Sequence, residues 1–229
     1  MRKFDTYSAA DSMARLVSEN HRALLVMSRF GLGLGFGNKT IQEVCEEQGV
    51  DTTTFLTVVN ILLNEETGPA VPENISLTAL VDYLHNSHEY FLGFRLPGIR
   101  KQLLHILCAE EPLSKAIVSY FDGYAEEVRK HMQYEEAFVF PYVHKLLWGE
   151  DTAGYNIEMF EKQHNQVEAR LTEFKNIIIR FYPARNTHEM NDVLFDIFNC
   201  EYDLASHNAV EDHVFIPAIV ALEAKNRKK

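Results

Sequence analysis

His131-Met132-Gln133-Tyr134-Glu135-Glu136-Ala137-Phe138-Val139-Phe140-Pro141 and His207-Asn208-Ala209-Val210-Glu211-Asp212-His213-Val214-Phe215-Ile216-Pro217 are two copies of one pattern: His-x-x-x-Glu-acid, then a proline six residues after the Glu. Residues four apart share a face of an α-helix about one turn from each other, so each copy sets an imidazole beside a carboxylate if the chain there is helical. The flanking sequence supplies that helix. Apolar residues recur at three- and four-residue spacing in Ile117, Tyr120, Phe121, Tyr124 and Val128, and again in Val167, Leu171, Phe174, Ile177 and Ile178. Strand alternation bounded by hairpin turns is not evident here. Breaks fall at Pro97-Gly98, Glu111-Pro112, Trp148-Gly149 to Gly154, and Tyr182-Pro183. They predict helices over 77–109 (kinked at Pro97), 113–148, 155–181 and 188–223. With short connections, four such amphipathic helices bury their stripes most simply as an all-α, up-down-up-down four-helix bundle.

The first and third helices repeat as well. His85-Asn86-Ser87-His88-Glu89 and His164-Asn165-Gln166-Val167-Glu168 share His-Asn-x-x-Glu. His85 precedes His131 by 46 residues and His164 precedes His207 by 43, as expected if each half is a helix hairpin and the two hairpins face each other. Such a pseudo-twofold bundle aims four histidines and at least two carboxylates at one interior point. Imidazole and carboxylate without thiolate suit iron or manganese, and also admit zinc and copper. Two ions fit the count better than one. If each takes two histidines and both carboxylates bridge, each has four protein ligands, and a bridging oxygen makes five. An octahedral ion then keeps a position open for a small molecule. Bundle interiors are also where di-iron carboxylate sites are built. A lone His-x-x-x-Glu is ordinarily a solvated pair worth a few tenths of a kcal/mol. Solvation alone gives no reason for the pair to recur with the same acid and proline.

Periodicity leaves the carboxylates open, because Glu89 and Glu168 also follow a repeated histidine by four residues. Surroundings favour Glu135 and Glu211, which precede the apolar stretches Phe138-Val139-Phe140 and Val214-Phe215-Ile216, where a carboxylate without a metal is costly. Glu127 and Asp203 each lie four residues before a paired histidine, where orienting that histidine and plain solvation are both open roles. The prolines after each Glu interrupt helix hydrogen bonding, setting the local axis or simply kinking it. His88, His144, His188 and His213 have no counterpart in the other half, and His21 and His105 have no pattern, so they read as surface or core residues.

Outside the bundle the sequence is less specific. The stretch Thr67 to Asn74 holds a Gly and two Pro and reads as a linker over 67–76. It separates a small helical N-terminal domain, 1–66, from the bundle at 77–224 and a basic tail at 225–229. At 229 residues with a net charge of −11, the chain repels phosphate backbones and anionic membranes, so neither nucleic acid nor membrane is an expected partner. Three widely spaced cysteines, Cys45, Cys108 and Cys200, suggest no disulfide framework or thiolate zinc site, which points to a reducing cytoplasm. Neither a membrane span nor a signal peptide is evident. Residues 40–60 have the helix, glycine turn and second helix of a helix-turn-helix. A metal-responsive DNA-binding regulator is disfavoured, because residues 40–66 hold six acids and no Lys or Arg.

These motifs resemble the hemerythrin-like bundles and, within them, the di-iron family called repair of iron centres, the YtfE/ScdA type. The specific stretches are Leu84 to His88, Lys130-His131 through Pro141, Lys162-Gln163-His164, and Ser206-His207 through Pro217. The resemblance implies His85, His131, Glu135, His164, His207 and Glu211 as metal ligands. It further implies two non-haem iron ions, oxo- and carboxylate-bridged, and a role in restoring iron–sulfur clusters damaged by nitrosative or oxidative stress. Expected partners are a diatomic molecule or peroxide at the metal and damaged iron–sulfur proteins. A module that binds or senses oxygen, nitric oxide or iron without turnover is the alternative. Where the family carries Cys-Cys-Gly-Gly, this chain has Gly31-Leu32-Gly33-Leu34-Gly35-Phe36-Gly37 and no cysteine. Those glycines read as a left-handed or flexible turn between helices, without the Gly-Lys-Ser/Thr end of a phosphate loop.

Overall fold

The computed structural model describes residues 6–63, 72, 74–108, 110–152, 154–161, 167–183 and 187–227. Among them there is no strand, only an isolated bridge between Ser12 and Thr40. The chain divides into two compact units: Met1–Ser87, Val143–Thr152 and His207–Lys229 in one, His88–Tyr142 and Ala153–Ser206 in the other.

The first unit holds four short helices: α1 (Met13–Glu19), α2 (Ala23–Arg29), α3 (Ile41–Glu47) and α4 (Thr52–Leu63). Thr40 and Glu43 form a capping box at the start of α3, each satisfying a backbone N–H of the other. Between α2 and α3 the glycine run turns left-handed at Gly31, Gly35 and Gly37, with φ of 73°, 93° and 60°, a region that L side chains rarely enter. Helix α4 is apolar around most of its circumference, and Phe55, Val58, Val59 and Ile61 are all buried. An all-round apolar helix belongs in a core. The would-be recognition helix therefore has little face left for a DNA groove. Two hydrogen bonds between the Asn60 side chain and the Tyr7 backbone, 2.8 and 2.9 Å, hold the N-terminal segment against α4. The same unit takes in the start of α5 (Leu77–Tyr90) and all of α12 (Ile216–Asn226). Asn86 donates to the Arg29 carbonyl at 2.7 Å, and Phe30 packs its ring against Phe55 and Tyr83.

The second unit is itself a four-helix bundle, built from α6 (Leu96–Ile106), most of the path from α7 (Pro112–Tyr134) to Tyr142, α10 (Val167–Phe181), and α11 (Thr187–Val210) up to Ser206. Pro112 opens α7 at the one place where a missing N–H costs nothing. Ile117, Phe121, Tyr124, Val128 and Met132 then form its buried stripe, packed in one core with Leu103, Phe174 and Ile197 from the other helices. Each such side chain contributes roughly 1.5–3 kcal/mol on leaving water. Arg95 and Gln102 both bond Asp196, at 2.9 and 2.8 Å, tying the first helix of the bundle to the last. Helix α8 (Phe140–Trp148) continues α7 beyond residues 135–139, and most of it belongs to the first unit; a single turn, α9 (Glu158–Glu161), precedes α10 in the chain. The four expected long helices are thus present, with most of the 67–76 linker, residues 162–166 and Lys228-Lys229 of the tail outside the described residues.

Three of the long helices widen into a π turn: Phe91–Arg95, Glu135–Val139 and Glu211–Phe215. Each is followed by one residue and then a proline. A proline ring collides with the carbonyl four residues back in a regular helix. Here the preceding N–H instead reaches five residues back, from Leu96 to Phe91, Phe140 to Glu135 and Ile216 to Glu211. The prolines therefore produce π turns, not simple kinks. In all three the residue that opens the turn is fully buried.

Candidate metal centre

In the second unit Glu135 opens its π turn with no solvent exposure. Its oxygens divide between two imidazoles: Oε2 lies 3.0 Å from His88 Nε2, and Oε1 lies 2.8 Å from His131 Nε2. His131 reaches it along the helix, four residues earlier. His88 comes from α5, where its Nδ1 is also 2.7 Å from Glu136 Oε1. A carboxylate can only accept, so this contact places a proton on His88 Nδ1. At the other end of the ring, Nε2 and Glu135 Oε2, 3.0 Å apart in a buried place, are close enough to share a proton or to ligate one cation. Glu135, His88 and His131 thus fit a metal ion by their donor chemistry. Aromatic rings fix the imidazoles: His88 stacks on Phe140 and His131 on Phe160. Beside them the Tyr134 and Tyr155 hydroxyls are 3.2 Å apart, and burial, reinforced by the bond to Tyr134, pushes the Tyr155 phenol well up.

The first unit repeats the helix motif. His207 and Glu211, both fully buried, approach within 3.2 Å through Nε2 and Oε1. Among the described residues, the buried histidine and glutamate side chains able to hold a metal ion are thus His88 and Glu135 in one unit and His207 and Glu211 in the other.

His131, Glu135, His207 and Glu211 therefore lie where the repeat predicts, each pair on one helix face. His164 lies outside the described residues. His85 is exposed, as are Thr78, Asp82 and Glu89, which together trace the outer stripe of α5. His88 instead belongs to the inner stripe of Leu77, Leu80, Leu84 and Phe91. Its place beside Glu135 is the feature the repeat did not reveal. Phase along α5 was the available signal, since residue 88 lies four beyond Leu84 and three before Phe91.

The acids before the paired histidines separate. Glu127 pairs with Arg170 at the surface, whereas Asp203 is 3 % exposed. His21, His105, His188 and His213 are exposed. Cys45, the thiol nearest the glycine run, is buried, and that burial pushes it up to about 11, far from a reactive thiolate. Cys200 is buried as well, and Cys108 is exposed. No described helix is long and apolar enough to cross a membrane.

Comparison with known proteins agrees with this geometry. Over 209 residues the chain is 19% identical to the iron-sulfur cluster repair protein ScdA of Staphylococcus haemolyticus (strain JCSC1435), covering 88% of this chain and 94% of that protein. The likeness supports an assignment to the ScdA/YtfE type. The hemerythrin HHE cation binding domain model matches residues 79–219, a span that includes both His-x-x-x-Glu helices, and the chain belongs to that family.

Proposed function

We propose that the protein is a non-haem di-iron protein that acts in the repair of iron–sulfur clusters damaged by nitrosative or oxidative stress. The observation that carries the metal site is Glu135, a fully buried carboxylate whose two oxygens each face a histidine nitrogen. His88, His131 and Glu135 form one set of ligands, and His207 and Glu211 form the other together with His164. His88 thereby takes the place the repeat gave to His85. Iron suits these imidazole and carboxylate donors. When bound it would supply redox chemistry toward a diatomic molecule or peroxide. The chain's own residues would hold it, with Phe140 stacked on His88 and Phe160 on His131. The printed name of the Staphylococcus relative supports the repair role, with damaged iron–sulfur proteins as clients in the cytoplasm.

The test has two parts. Protein purified without air is analysed for metal, with about two irons per chain expected; a stoichiometry near one, or zinc retained when iron is available, refutes the di-iron centre. Cells lacking the gene are then exposed to nitric oxide, and slow recovery of iron–sulfur enzyme activity, cured by the wild type, is expected. Normal recovery refutes the repair role and leaves binding or sensing.

A further inference from the structure

Glu136 is next to Glu135 in the chain, yet its carboxylate reaches across to α5. Its Oε1 is 2.7 Å from Nδ1 of His88, whose side chain is only 4% exposed, while the Glu136 side chain is 35% exposed. Neutral imidazole carries its proton on one nitrogen, and the hydrogen bond at the other end decides which. With Glu136 accepting from Nδ1–H, Nε2 is the nitrogen left to bind a metal, and it lies 3.0 Å from Glu135 Oε2. Stacking of the His88 ring on Phe140, centroids 5.5 Å apart and planes 11° apart, leaves tilt restrained and rotation about the ring axis to be fixed by that bond.

We propose that Glu136 is a positioning residue: it selects the Nδ1–H tautomer of His88 and holds the ring so that Nε2 faces the metal position beside Glu135. This rests on the metal-centre reading above. Outer partners of ligand histidines commonly change metal affinity about 10–100-fold when removed. Adjacent acids on one helix thus divide the work, Glu135 inward as a donor to metal and Glu136 sideways as the acceptor for a neighbouring helix's histidine.

The full-length chain, wild type and with Glu136→Gln or Glu136→Ala, is labelled with nitrogen-15 histidine, and the His88 signals are assigned by their loss in His88→Gln. Without metal, Nδ1 of His88 is expected to carry a proton in the wild type, and Glu136→Ala to show a large share of rings with Nδ1 bare and the proton on Nε2. Glu136→Gln, whose amide oxygen still accepts, keeps the wild-type tautomer. Competition with a chelator for ferrous iron is expected to show about 10–100-fold weaker binding in Glu136→Ala and partial rescue in Glu136→Gln. A merely structural role would lower the melting temperature without moving the tautomer. A bare Nδ1 in the wild type, or unchanged Nδ1 protonation in Glu136→Ala, overturns the proposal. If the wild type binds no iron, the metal-centre reading falls and the tautomer measurement alone decides what Glu136 does.

Discussion

Substituting Glu135 by Gln separates what its burial costs from what a metal returns, because the two effects have opposite signs. In the metal-free chain a fully buried carboxylate has both oxygens against histidine nitrogens. A neutral amide at the same place escapes the cost of burying a charge. Relief of that desolvation penalty is worth about 1–3 kcal/mol. For a protein of this size a kcal/mol moves the melting temperature by about 2–4 °C. Metal-free Glu135→Gln is therefore expected to melt about 2–12 °C above metal-free wild type. Ferrous iron at a hundredfold excess over its Kd should add about 2.7 kcal/mol to the wild type, another 5–10 °C or so. It should add almost nothing to the variant, since a neutral amide is a poor ligand. Melts by circular dichroism, anaerobic, with and without iron, measure all four values. A metal-free variant less stable than the wild type, or an equal iron-induced gain in both, would refute the placement of Glu135 as a ligand strained by the absence of its ion.

Five further outcomes are expected. His88→Ala should lose iron while His85→Ala keeps it; the reverse in metal analysis would restore the outer histidine as ligand. Phe121→Ala, at the centre of the second unit's core, should cost about 3–5 kcal/mol in denaturant unfolding without changing the metal's optical spectrum in the fraction that folds. Asn60→Ala removes both hydrogen bonds to the Tyr7 backbone, so it should cost about 1–3 kcal/mol and speed hydrogen exchange at the Tyr7 amide. Alkylation at pH 8 should modify Cys108 in the native chain and spare Cys45. The Cys45 thiol is raised from 9.0 to about 11 on folding, so its stabilising contribution is full below pH 9 and fades toward pH 11, as the unfolded thiol loses its proton first. The stability difference between wild type and Cys45→Ala should shrink over that window, and a difference that grows would contradict the burial of the thiol.

What was legible in the sequence followed from period and punctuation. Apolar spacing and the Pro and Gly breaks placed the long helices close to their observed ends, because both act locally. Comparing the halves of the repeat placed His131, Glu135, His207 and Glu211, since four-residue spacing has one meaning on a helix. The same comparison matched His85 to His164 through the shared His-Asn-x-x-Glu, and there composition and phase part company. Asn86, half of that shared signature, spends its side chain on the Arg29 carbonyl, a contact to a helix that no spacing rule reaches. Glu127 and Asp203 hold equivalent places in the repeat, yet one finds Arg170 at the surface and the other is buried. Such differences belong to tertiary neighbours. The burial of α4 is another case: Thr53, Thr57 and Asn60 make a polar stripe at helical spacing, yet Thr57 and Asn60 are buried.

The π turns explain why the motif is written as it is. A helix that must pass a proline without breaking can shift one hydrogen bond to a five-residue span, and the residue opening that span is turned fully inward in all three cases. The turn is thus a device for burying whatever residue precedes the proline by six. In two helices that residue is Glu135 or Glu211, with a histidine four before it. In the first helix it is Phe91, with His88 three before. The same backbone device then offers hydrocarbon where the others offer a carboxylate, so that helix supplies one donor instead of two. On this basis the number of buried carboxylates the motif offers is set by the identity of the opening residue, not by the count of acids near each histidine. Phe91→Glu would place a third carboxylate beside His88. Added negative charge there should tighten iron in the loaded chain, while a buried carboxylate without its ion lowers the melting temperature of the metal-free chain. Iron affinity and metal-free melts of that variant measure both; a chain that melts as the wild type would show that the opening position is not enclosed.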